Sequence, residues 1–135
     1  MSISMIIGII VVAIVILVLL NLVAKPTTNG VDKAHFINEW NDVIALSKEP
    51  KSRPLSIVHA DKLLDEALKG LGYNGEKMAE RLIAAKNVLR HRDQIWDAHK
   101  IRNKIVHETT YEPSEKEVKT ALGAYHRTFK DLGVW

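Results

Sequence analysis

The chain contains no cysteine in its 135 residues. That absence excludes disulfide scaffolds, thiolate metal sites and cysteine nucleophiles. It suits a reducing compartment, although exported proteins also do without Cys. Charge is missing from one region altogether. Residues 1–24 carry no charged side chain, and all 19 Lys and Arg and all 16 Asp and Glu lie from Lys25 onward. No alternating strand pattern runs for more than a few residues, no internal repeat is present, and no tract is of low complexity. The six histidines, at 35, 59, 91, 99, 107 and 126, include no pair at the i,i+4 spacing of helical zinc ligands. No cofactor motif survives scrutiny either. Gly70-Leu71-Gly72-Tyr73-Asn74-Gly75 matches G-x-G-x-x-G, but it follows a helical pattern rather than a strand, and helix capping accounts for its glycines. The expectation is therefore no metal and no cofactor.

What is present divides in two. Twenty of the first 24 residues are apolar. Met5 to Ala24 reads MIIGIIVVAIVILVLLNLVA, broken only by Gly8 and Asn21. As a helix it reaches about 30 Å, the thickness of a bilayer's hydrocarbon core. A cleaved signal peptide is the rival reading. It calls for a basic n-region, a shorter apolar core and a small-x-small cleavage site, whereas here Met-Ser-Ile-Ser precedes the run and Leu22-Val23-Ala24 ends it. The anchor reading assigns residues 1–24 to a transmembrane helix, with 5–24 in the membrane, and 25–30 to a linker that spans at most about 20 Å. Lys25 and Lys33 follow the span and no basic side chain precedes it, so the positive-inside rule places the C-terminal domain in the cytoplasm of a single-pass cell-membrane protein.

Residues 31–135 read as a small all-α, up-and-down bundle of about five helices. Phe36, Ile37, Trp40, Val43 and Ile44 share a face of a helix over 31–47. Glu49 to Arg53 is a loop, and Pro54 suits the first turn of a second helix buried through Ile57, Ala60, Leu63, Leu64, Ala67, Leu68 and Leu71. Asn74 opens a third, with Met78, Leu82, Ala85 and Leu89 in register. The fourth runs from about Asp93 to His107. Ser114-Glu115-Lys116-Glu117 is a capping box for a last helix with Val118, Ala121, Leu122, Tyr125, Phe129 and Leu132 on one stripe.

The fourth helix carries the informative side chains. At 100° per residue, Ile95, Ala98, Ile101, Ile105 and Val106 form its apolar arc, and Arg102 falls inside that arc. Trp96, His99, Asn103 and His107 line one edge. A cation aimed at a core is costly without a partner, and Asp61, at the rim of the second helix's apolar face, is the candidate carboxylate. Two readings stay open for Arg102: a structural ion pair, or a member of a site with Asn103 and His107.

Arg102-Asn103-Lys104-Ile105-Val106-His107 resembles the R-x4-6-H motif of HEPN domains, small helical bundles in which Asn often follows the Arg. The motif's place, at the end of a helix before a last amphipathic one, is also similar. Thr109 stands where HEPN toxins paired with nucleotidyltransferase antitoxins carry Tyr, a departure from that subgroup. The resemblance implies a metal-independent endoribonuclease acting as a homodimer with the two motifs facing each other. Catalytic roles then fall to Arg102, Asn103 and His107: His107 for proton transfer, Arg102 for the scissile phosphate, Asn103 for orientation, with His99 and Asp61 in support. A net charge of +3 is mildly favourable for RNA, without a dense basic stripe. Many HEPN-like domains are non-catalytic, so an RNA-binding or protein-interaction module tethered to the membrane is the alternative.

Overall fold

The computed structural model describes residues 1–23 and 31–135. The expected linker over 25–30, and Ala24 at the end of the expected anchor, lie outside the described residues. Six helices make up the described chain, and no strand occurs in it: α1 (Ile3–Val23), α2 (Lys33–Lys48), α3 (Arg53–Gly70), α4 (Met78–Ala84), α5 (Arg92–His107) and α6 (Glu115–Asp131).

In α1, Ile3–Leu20 is apolar and wholly unburied. It is long and apolar enough to cross a membrane. A run of β-branched side chains forms a helix poorly in water. In lipid the backbone has no partner except itself, and the helix follows.

The remaining helices form the bundle, with α3 at its centre packed against α2, α4, α5 and α6. The second-helix stripe is buried as its spacing requires, from Ile57 to Leu68, with Leu71 half-buried. Ser56 and Asp61 are buried in the same face. The helix ends at Gly72, whose φ of +84° is the left-handed conformation that a side chain resists. The amides of Gly72 and Tyr73 then return to the carbonyls of Lys69 and Leu68, which closes a Schellman turn. The capping box is present at α6: the Ser114 hydroxyl accepts from the Glu117 amide, and the Glu117 carboxylate accepts from the Ser114 amide. Phe129 and Trp135 pack with ring centroids 4.6 Å apart, and Trp40 meets both.

Three expectations need correction. The third helix does not open at Asn74 or run to Leu89; it occupies only Met78–Ala84, although Met78, Leu82, Ala85 and Leu89 are all buried as read. At the start of α4 the preceding loop approaches closely. Gly75 lies so close to α4 that a Cβ there would be 2.7 Å from the Glu80 Cβ, and its carbonyl accepts from the Arg81 guanidinium. Arg81 in turn makes a two-point pair with Asp65 of α3, at 2.6 and 3.1 Å. The Gly75 carbonyl is thus committed to Arg81, and beyond Ala84 the chain continues in turns through Val88. Secondly, Ile37 does not join the buried face of α2; it is exposed beside buried Phe36. Thirdly, Val106 lies outside the core at 48 % exposure. Burial on α5 decays along the axis: Ile95, Ala98 and His99 are buried, 101–103 and 105 are half-buried, and 106 and 107 are exposed. The last turn overhangs the packed layer.

Candidate functional site

Asp61 stands one helical turn after Ile57 on the buried stripe of α3, which puts a carboxylate where apolar side chains belong. It is 3 % exposed. Burying it requires partners, and three side chains from two helices supply them. From α5, His99 Nδ1 lies 2.8 Å from Oδ1. From α6, the Tyr125 hydroxyl donates to the same oxygen at 2.7 Å. Arg102 Nε, also from α5, faces Oδ2 at 3.4 Å. The last is a charge contact rather than a formed hydrogen bond, since Nε is sealed from solvent without a hydrogen-bond partner. The expected Asp61–Arg102 pairing is therefore present, with Asp61 inside the core rather than at its rim.

Tyr125 registers the field of this cluster. Burial pushes its hydroxyl well above the usual tyrosine range, the Asp61 charge and hydrogen bond push the same way, and Arg102 opposes them. The hydroxyl stays protonated and donates to the carboxylate. The sequence placed Tyr125 on an apolar stripe and missed this role. The available signal was general: a buried phenol seeks a partner for its hydroxyl.

Above Asp61 a cleft of about 680 Å³ opens between α3, the start of α4 and α5. Asp61, His99, Arg102, Asn103 and His107 all line it. Every site residue read from the sequence is thus brought to one cavity. Their settings differ. His99 is buried, not at the edge where the helical wheel set it, and Trp96 meets it edge-on at 6.1 Å. Arg102 is half-buried, and one of its terminal nitrogens donates to Asn103 Oδ1 at 3.0 Å. His107 is exposed at the helix end. Lys62 and Lys77 also line the cleft, and sequence reading singled out neither.

The electrostatic balance favours an anion. Three cations, Lys62, Lys77 and Arg102, face the cavity with two carboxylates, Asp61 and Asp65. Both carboxylates are already engaged. Burial pushes the Asp65 carboxyl up, but the hydrogen bonds and charges of Arg81 and Lys69 outweigh it and hold the group below its usual range. Asp61 has His99, Tyr125 and Arg102. A second groove of about 490 Å³, lined by Arg90, His91, Arg92, Asp93, Gln94 and Trp96, adjoins through the Trp96–His99 contact. Among the described residues no group of three or more His, Asp or Glu could hold a metal ion.

No family model matches the sequence, and neither a curated protein nor a solved structure matches it. Function has to be argued from the cleft itself.

Proposed function

We propose that this chain is a membrane-anchored, HEPN-like helical protein whose α3–α5 cleft binds RNA and cleaves it without a metal ion, as a homodimer through the Arg102/His107 face. The observation that carries the reading is the convergence of Arg102, Asn103 and His107 on one cationic cavity with His99 and Asp61 behind them. A guanidinium held by Asp61 through Nε keeps terminal N–H groups for a phosphate. An exposed imidazole can exchange protons with a substrate. The adjoining groove adds Arg90, Arg92 and a half-buried Trp96, the mixture of cation and aromatic that suits single-stranded nucleic acid. A specific observation also favours the non-catalytic reading, an interaction module at the membrane. The Arg102–Asp61 contact is by itself a sufficient structural use for the arginine.

The test uses the full chain in mild detergent, incubated with mixed-sequence RNA and EDTA. Cleavage is the expected result. RNA retained but uncut would reduce the protein to a binding module, and RNA neither bound nor cut would leave the interaction module. We assign α1 as the anchor and the bundle to the cytoplasmic side, on the Lys25 and Lys33 flank. Protease added to intact cells should then spare the bundle. Digestion from outside would reverse the orientation.

A further inference from the structure

His99, Asn103 and His107 occur at i, i+4 and i+8 of α5. That spacing sets them on one stripe of the helix, and all three line the cleft. Asn103 stands one turn from each imidazole, with Arg102 beside it and bonded to it. At about 1.5 Å per residue the two histidines are about 12 Å apart along the axis. A phosphate held at Arg102 and Asn103 would be flanked by an imidazole on either side.

The two imidazoles are not equivalent. His107 is exposed, with no partner among the described residues. His99 is held from behind. Its Nδ1 is 2.8 Å from Asp61 Oδ1, and Asp61 is fixed by Tyr125. A carboxylate accepts, so Nδ1 carries the hydrogen, and the neutral ring keeps its lone pair on Nε2. No described residue bonds Nε2, and Nε2 is not among the buried unpaired atoms. A ring nitrogen buried in the core needs a partner there, and Nε2 has neither a protein partner nor full burial. Here one nitrogen is anchored, the other is not sealed from solvent, and the residue lines the cleft.

We propose that His99 is a second proton-transfer residue of this cleft, the general base for an RNA 2′-hydroxyl, with Asp61 its positioning residue and His107 the general acid. The inference rests on the ribonuclease reading and deepens it. The 2′-hydroxyl gives its proton to His99 Nε2 as its oxygen bonds to the adjacent phosphorus. The bond from phosphorus to O5′ breaks, and O5′ leaves with a proton from His107. The products are a 2′,3′-cyclic phosphate and a 5′-hydroxyl, and no oxidant or further reactant is consumed. Both imidazoles come from one protomer.

The decisive variant is His99→Asn. Its side-chain amide reproduces the donor at Nδ1, so the bond to Asp61 is kept, while Nε2 is removed. Full-length protein in detergent is assayed on a mixed-sequence RNA oligonucleotide with EDTA from pH 5 to 9, beside thermal melts. The charged and titratable groups facing His99 are Asp61 from α3, Tyr125 from α6 and Arg102 from its own helix; Lys62, Asp65 and Lys77 line the remaining wall. His99→Asn should melt with the parent and cut RNA at least about 100-fold more slowly. The rise in rate on the acid side of the parent's bell-shaped profile should vanish, since that rise reports deprotonation of the base. Asp61→Asn should lower kcat with KM held, because it loosens the anchor of the imidazole and leaves the phosphate-binding groups in place. A folded His99→Asn protein that cuts at the parental rate with both limbs intact would overturn the inference. His107→Ala inactive in the same assay would then leave the ribonuclease reading standing. A parent that cuts no RNA overturns both.

Discussion

Asp61→Ala is expected to destabilise the bundle by about 3–5 kcal/mol, as much as truncating a core aromatic. The carboxylate is 3 % exposed, and three side chains from two neighbouring helices depend on it. Its removal leaves the Tyr125 hydroxyl without its acceptor, frees His99 Nδ1 and leaves the buried Nε of Arg102 facing no charge. Each loss is a desolvation cost with nothing returned, which is why breaking a buried pair costs more than forming it gains. Asp61→Asn keeps an acceptor for His99 and Tyr125 and surrenders the charge contact, so it should cost less, about 1–3 kcal/mol. All three tryptophans, Trp40, Trp96 and Trp135, belong to the bundle and none to α1. Near-ultraviolet circular dichroism of the full chain in detergent therefore follows the bundle without interference from the apolar helix. Equal stabilities for Asp61→Ala and the parent would show that the cluster does not hold α3, α5 and α6 together.

The same cluster marks where sequence reasoning succeeds and where it stops. Periodicity is a sound guide where one face meets one core, so the buried stripes of α3 and α6 were legible from Ile57 to Leu68 and from Val118 to Phe129. Local rules served equally well at Gly72 and at Ser114, because a cap depends on residues a few positions apart. The helical wheel also turned Arg102 toward the core, where Asp61, named as its candidate partner, meets it. It could not report how far the packed layer extends along the axis. Val106 and Arg102 share an arc, yet one is exposed and the other is paired, because α5 outruns its neighbours. The short α4 was illegible for a different reason. Apolar spacing from Met78 to Leu89 suits one helix, but the chain leaves helix after Ala84, and before Met78 the Arg81 guanidinium, bound to Asp65 and to the Gly75 carbonyl, ties the loop to α4. That is a contact between chain segments, with no trace in the local pattern. The roles of Tyr125, Lys62 and Lys77 were hidden likewise, since only the fold brings them to the cleft.

His107→Ala and Arg102→Ala together separate chemistry from packing. His107 is exposed and bonded to no described residue, so its removal should leave the melt unchanged. If the cleft cuts RNA, the same substitution removes a proton-transfer group and should slow cleavage by about 10²–10⁴-fold. Arg102 stands between the two behaviours. Its side chain is 32 % exposed, and Asp61 keeps His99 and Tyr125 when the guanidinium is gone. The loss in stability should therefore stay near about 1–2 kcal/mol, below that of Asp61→Ala. The loss in rate should be larger, about 10²–10³-fold, because charge developing on the phosphate is stabilised most by donors already held in place. Arg102→Lys sharpens the comparison. It returns the charge without the planar fork, so stability should recover more fully than cleavage. A structural role reverses the order. Arg102→Ala would then melt as low as Asp61→Ala, His107→Ala would be silent in every assay, and Arg102→Lys would restore whatever the protein does.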